Sequence, residues 1–197
     1  MRLILASRSR ARRAMLEAAG VPFETAQAEL DEAAAKAGLA GAGFDPRSVA
    51  EELAQLKALS VRGADGALVL GADQVLERED GAMLAKPESR EEALEQLQSL
   101  RGATHLLHSA AVIVERGEAV WSHCQSAAMT MRPLGDDFLR SYLEAEYDAI
   151  RWSVGGYRIE GPGVQLFERI EGSHFVILGL PLIPLLAYLR ERGVLGR

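Results

Sequence analysis

A single cysteine, Cys124, stands in a chain of 197 residues. No internal disulfide can form, and nothing calls for an oxidising compartment. Its place in an alternating run reads as a small strand side chain and not as a nucleophile. Long apolar runs are missing as well. Leu3-Ile4-Leu5-Ala6 passes at once into SRSRARR, and the apolar stretch Phe175 to Leu189 is broken by Pro181 and Pro184. Neither reads as a signal peptide or a membrane span, so the tail is expected in the core and the protein in the cytoplasm. Positive charge is scarce: the formal net charge is -6. That excludes non-specific grip on a nucleic-acid duplex, which depends on clustered Lys and Arg. The four histidines show no zinc spacing, and His105 and His108 fall on opposite faces of a strand. The glycines of GLAGAGF, 38 to 44, match neither a Walker loop nor a dinucleotide fingerprint. They read as a flexible small-residue connection with no phosphate role. No internal repeat is apparent.

What remains is ordinary for a globular chain, 48% hydrophobic and 25% charged, and long enough for one folding unit over 1–197. Apolar runs and helical stripes alternate from end to end, which means α/β. Leu3 to Ala6 reads as a buried strand, followed by a helix capped at Ser9 and closed by Gly20. A second short strand follows Val21-Pro22-Phe23. A helix starts near Pro46 with Val49, Leu53 and Leu56 on its apolar stripe, and Lys57 beside that stripe reads as a snorkelling side chain. Another helix runs from Ser89 to Leu100, with Ser89 as cap and Glu92 at the capping-box position. Thr104–Glu115 and Ala119–Met131 are strand-like runs joined by Arg116-Gly117-Glu118. A short helix is expected over Asp136–Ala145, and a closing helix introduced by Gly179-Leu180-Pro181-Leu182 runs through Leu185, Leu186 and Leu189 to Arg192.

Three places carry chemistry. Leu68-Val69-Leu70 ends in Gly71-Ala72 and delivers Asp73 where a buried strand is expected to emerge. A short strand, Val75 to Glu77, then turns back through Met83-Leu84 to Lys86. That hairpin places Asp73 and Lys86 at one end of a sheet, suited to metal binding or water activation; a surface acid and a solvated lysine is the other reading. Arg10, Arg12 and Arg13 crowd the start of the first helix, where the macrodipole favours anions. A bound phosphate resolves the conflict, and a solvated basic patch is the alternative. Glu29, Asp31 and Glu32 either offer oxygen ligands to a hard cation or form a solvated loop. The glycine density of 155–163 implies tight turns against backbone or ligand, with Glu160 placed to contact the latter.

In their order and spacing, LASRSRARRAMLEAAGVPFE, the triplet Leu30-Asp31-Glu32, GADQV at Gly71 to Val75, AKP at Ala85 to Pro87, GGYRIEGPG, FERIEG and LGLPL resemble the Maf family of nucleoside triphosphate pyrophosphatases over nearly the whole chain. The resemblance implies an elongated α/β protein of the ITPase-like Maf fold: a central mixed, twisted sheet flanked by helices, and two lobes with a cleft between them. It further implies a homodimer, a nucleoside triphosphate as partner, and cleavage between the α and β phosphates with a divalent cation, Mg2+, Mn2+ or Co2+. Asp73 takes the role of proton acceptor, with Lys86 and Lys57 beside it. Ser7, Ser9, Arg12 and Arg13 bind the phosphates, and Glu32 and Asp73 stand on the metal side. Substrate preference in the family tracks three positions, here Ala11, Gln74 and Glu160. Gln74 and Glu160 match the branch acting on 7-methyl-GTP, and Ala11 replaces that branch's tryptophan. Arg10, Ala85 and Val176 also depart from the family's usual proline, glycine and asparagine. A nucleotide-binding regulator of division or septum formation is the alternative of another class.

Overall fold

The computed structural model describes residues 1–196. The chain forms a mixed sheet of seven strands. Their order is β2 (Glu24–Thr25), β1 (Leu3–Ala6), β3 (Leu68–Glu77), β5 (Thr104–Glu115), β6 (Glu118–Met131) and β7 (Phe167–Glu171), with β4 (Met83–Leu84) paired to β3. β1 runs parallel to both β2 and β3, whereas β4 on β3 and β7 on β6 are antiparallel. Seven helices accompany them: α1 (Arg10–Ala18), α2 (Glu32–Gly41), α3 (Pro46–Leu59), α4 (Arg90–Leu100), α5 (Asp136–Ile150), α6 (His174–Ile177) and α7 (Leu182–Glu191). Contacts divide the chain into two compact units: residues 1–74, 108–126 and 173–197, and residues 75–107 and 127–172.

The first unit is built around the apolar run that opens β3. Leu68, Leu70 and Ala72 point to one face of the sheet, where they meet Leu3 and Leu5 of β1, Met15 and Leu16 of α1, and Leu182, Leu185 and Leu189 of α7. Each fully buried leucine there contributes on the order of 2–3 kcal/mol. The opposite face is covered by α3, whose N-cap Asp45 accepts from Ser48 N and whose first residue is Pro46. Its buried stripe includes Ala50, Ala54 and Ala58, small enough for the helix backbone to come down on the strand. The approach is closest at Gly71, where an added Cβ would lie 1.9 Å from the Ala54 carbonyl oxygen. Only glycine fits.

Gly71 is therefore a packing glycine and not a strand terminus. β3 continues without a break from Leu68 to Glu77, so Asp73 sits inside the strand and not at its end, contrary to the sequence expectation. A second correction concerns 32–41, where GLAGAGF was expected to be a loop: Asp31 accepts from Ala34 N at 3.0 Å and starts α2, which runs through Gly38 to Gly41. Five alanines give that stretch a helix propensity that outweighs its two glycines.

In the second unit α4 packs on α5 and on the turn at Val154–Gly156. Ser89 caps α4 by accepting from Glu92 N, while the Glu92 carboxylate reaches back to Glu88 N, one residue beyond the usual capping box. α5 runs five residues past its expected end at Ala145, to Ile150. β7 and α6 are elements that the sequence patterns did not announce. His105 and Tyr157, both buried, form a ring cluster with the half-buried Phe167, and His105 Nε2 and Tyr157 Oη are 2.6 Å apart. β5 and β6 turn at Arg116-Gly117, both at positive φ (54° and 81°), as a two-residue hairpin requires. Among the described residues no helix is long and apolar enough to cross a membrane.

Candidate active site

Where α3 comes down on β3, the strand's two-residue period carries Asp73 to the same face as Gly71. The close approach at Gly71 is what brings Lys57, one residue before Ala58, over that carboxylate. Lys57 Nζ lies 2.5 Å from Asp73 Oδ1 and 3.0 Å from Glu32 Oε2. The lysine and Asp73 side chains are only 6% and 10% exposed, whereas Glu32, at the first position of α2, is 53% exposed. The amine that partners Asp73 is thus Lys57, and the snorkelling expected of it is overturned: the side chain is buried and its head is committed to two acids. Among the described residues Asp73 Oδ2 makes no hydrogen bond, so the carboxylate keeps one oxygen for an incoming donor.

The start of α1 meets the same region from the other side of the sheet. Ser9 is the N-cap and accepts from Arg12 N at 3.3 Å. Ser7 Oγ accepts from Ser9 N and, at 3.4 Å, from Arg12 Nη1. Arg12 is buried. Its Nε donates to the Gly179 carbonyl and its Nη1 to the Ala72 carbonyl, each at 2.8 Å. Burial pulls the guanidinium below its ordinary pKa, while the charges of Asp73 and Glu32 act in the opposite direction. Nη2 makes no hydrogen bond among the described residues and is not walled off as a buried orphan. So the cationic crowding at the helix start resolves unequally. One arginine turns inward against backbone carbonyls and leaves a single edge open.

An acid with one oxygen held by a buried ammonium, beside an arginine with one edge held back, suits proton removal from water next to an anionic group. A family profile described as Maf-like protein matches residues 2–192. The chain belongs to the Maf family. Relatives of this Maf chain include a nucleoside triphosphate pyrophosphatase of Sphingopyxis alaskensis, 47% identical over 195 residues that cover 98% of each chain. One of the same name from Nitrobacter winogradskyi is 48% identical, covering 98% of this chain and 95% of its own. A 7-methyl-GTP pyrophosphatase of Brucella abortus is 46% identical, covering 97% of this chain and 96% of its own. Among solved structures, a HAM1 protein from Coxiella burnetii is similar over 68% of this chain and 74% of its own, at 13% identity and a TM-score of 0.44.

The first unit of the Maf chain thus gathers Ser7, Ser9, Arg12, Glu32, Lys57 and Asp73. Arg13 is not part of that group: it is exposed and lines a separate depression of about 580 Å³ with Glu17, Glu24 and Thr25. Ala11 is half-buried on α1. Lys86 and Glu160 belong to the second unit, each exposed, Lys86 just after β4 and Glu160 ahead of the turn at Pro162–Leu166. Gln74 faces away from Asp73, as adjacent residues of a strand must. Its Nε2 lies 3.0 Å from Ser109 Oγ and from the carbonyls of Val176 and Ile177. Ser109 was not foreseen. The signal available was a lone serine in the otherwise apolar Ala110–Val114 approach of β5, fully buried and therefore in need of a partner. No group of three or more His, Cys, Asp or Glu side chains placed to hold a metal exists among the described residues.

Proposed function

We propose that this Maf protein hydrolyses nucleoside triphosphates at the bond between the α and β phosphates, releasing the monophosphate and pyrophosphate. The observation that carries the reading is the half-engaged carboxylate of Asp73, with Oδ1 on Lys57 and Oδ2 unbonded. The names of relatives at 46–48% identity point the same way.

In this reading Asp73 Oδ2 accepts the proton of the attacking water. Lys57 holds that carboxylate in orientation through Oδ1, and its charge offsets the negative charge gathering on the phosphoryl oxygens. Arg12 presents Nη2 to a phosphate, with Ser7 and the first turn of α1 as neighbouring donors. Glu32 and Asp73, two hard oxygen donors already converging on one cationic head, are the residues that would hold Mg2+, Mn2+ or Co2+. Such an ion polarises the phosphoryl oxygens and lowers the pKa of bound water. Asp73→Asn is expected to abolish pyrophosphate release while the protein stays folded by circular dichroism; near-normal turnover by that variant would remove Asp73 from the role.

For the base, the reading leans to a modified purine, 7-methyl-GTP. The support is Glu160, an exposed carboxylate able to accept from a guanine edge and to favour a methylated, cationic ring. Ala11 offers no stacking face. Faster hydrolysis of thymidine triphosphate than of 7-methyl-GTP by the purified protein would reverse that preference. A cytoplasmic homodimer completes the proposal. The buried, unpaired Cys124 suits a reducing compartment, and light scattering tests the dimer.

A further inference from the structure

The short helix α6 ends in the carbonyls of Val176 and Ile177, and side chains from two other elements take them up. Gln74 Nε2, from β3, donates to Val176 O and Ile177 O at 3.0 Å. Ser109 Oγ, from β5, donates to Val176 O at 2.7 Å and accepts from Gln74 Nε2. The same Val176 carbonyl accepts from Gly179 N at 3.0 Å, closing a turn in which Gly179 sits at φ +95°. Gly179 O is then the acceptor for Arg12 Nε. A Cβ on Gly179 would meet the guanidinium at 3.3 Å, so the turn and the arginine are fitted to each other.

The orientation of the Gln74 amide is settled by its surroundings. Turning it over would set Oε1 against two carbonyl oxygens, which repel it. Both amide hydrogens are therefore committed to the protein. Gln74 lies on the face of the sheet opposite Asp73, and what it grips is the backbone that orients Arg12.

We propose that Gln74 and Ser109 are positioning residues for Arg12: by fixing the carbonyls of Val176 and Ile177 they hold the turn that presents Gly179 O to the guanidinium, so that Nη2 stays open toward a phosphate. The inference rests on the reading above in which Arg12 meets the phosphate chain. It moves Gln74 from the base to the phosphates. The asparagine usual near Val176 is dispensable on this account, because the contacts at 176 are made by backbone.

The probe is inorganic tripolyphosphate, which has phosphates and no base. Inhibition of nucleotide hydrolysis by it, and its direct binding by calorimetry, are compared for the wild type, Gln74→Leu, Ser109→Ala and each combined with Arg12→Lys. Gln74→Leu should weaken tripolyphosphate about tenfold and Ser109→Ala about threefold, as expected for the loss of hydrogen bonds to a positioned group. The ratio of kcat/KM between 7-methyl-GTP and thymidine triphosphate should stay unchanged. In the Arg12→Lys background both effects should shrink to within about twofold, because residues acting through one another are not additive. The Arg12 Nε–H resonance should exchange slowly in the wild type and faster in both single variants, a signature that loss of packing elsewhere would not produce. Should Gln74→Leu fail to fold, the milder Ser109→Ala carries the same comparison. A shifted base ratio with unchanged tripolyphosphate binding would return Gln74 to the base and overturn the proposal, as would full additivity with Arg12→Lys. A wild type that hydrolyses nucleotides but does not bind tripolyphosphate would also overturn it while leaving the hydrolytic reading standing; absence of hydrolysis with intact, Gln74-dependent tripolyphosphate binding would do the reverse.

Discussion

Replacing Lys57 should injure the fold more than replacing the acid it serves. The ammonium is shared between Asp73 at 2.5 Å and Glu32 at 3.0 Å, and of the three side chains only Glu32 is well exposed. Lys57→Met keeps an unbranched, apolar chain at that position but leaves the Asp73 carboxylate nine-tenths enclosed with no cation bonded to it. Breaking a buried pair from one side costs about 3–5 kcal/mol, most of it the price of the stranded charge. Asp73→Asn strands nothing. Lys57 retains Glu32, and the new amide oxygen can still accept, so the loss should be about 1–2 kcal/mol. The double variant removes both buried charges and should be less damaged than the sum of the two, by about 2 kcal/mol or more. Urea unfolding of the wild type and the three variants in one buffer measures all of this. In melting temperature, at about 2–4 °C per kcal/mol for a chain of this size, Lys57→Met should sit about 10 °C below the wild type. Equal losses in the two single variants, or strict additivity in the double, would refute the reasoning that the pair is buried and asymmetric.

Two further outcomes follow from the packing. Gly71→Ala would place a Cβ 1.9 Å from Ala54 O and 2.9 Å from Ala58 N, both backbone atoms, so α3 must lift from the sheet. The cost should exceed about 3 kcal/mol by chemical denaturation and pyrophosphate release should fall with it, since Lys57 rides on that helix; an unaltered midpoint would contradict the close approach. Burial lowers the pKa of His105 from 6.5 to about 4. Between those values the unfolded chain takes up a proton that the folded one refuses, so stability is intact above about pH 7 and declines by up to about 3 kcal/mol as pH falls toward 4. His105→Gln should remove that part of the pH dependence, and an unchanged slope would show that other groups carry it.

Much of the scaffold could be read beforehand because its signals are local. Ser9, Asp45 with Pro46, and Ser89 with Glu92 start their helices by hydrogen bonds to residues three positions away, and Arg116-Gly117 turns its hairpin by backbone conformation alone. The departures arise where distant segments decide. Gly71 looks like punctuation along the chain, yet it is glycine because a helix backbone passes over it. Lys57 looks like a surface residue beside an apolar stripe until Asp73 is placed beneath it. α2 was hidden by two glycines that its alanines outweigh. The opposition of Asp73 and Gln74 was available in principle, since neighbours on a strand face apart, but only once β3 is known to be unbroken. Gln74 and Ser109 meet the carbonyls of Val176 and Ile177 across separations of 67 to 103 residues that no local pattern encodes.

α2 buries none of its ten residues, although it carries Glu32. A helix without an apolar footing is held by its cap, its own ladder and its contacts along α3, and such elements open far more readily than the domain as a whole. Amide hydrogens of 35–41 should therefore exchange through local fraying, whereas those of Leu53 to Ala58 should wait for global unfolding. The two acids that flank Lys57 thus keep different clocks. Asp73 should hold for as long as the sheet survives, whereas the exposed Glu32 should let go of Lys57 with each opening of the first turn of α2.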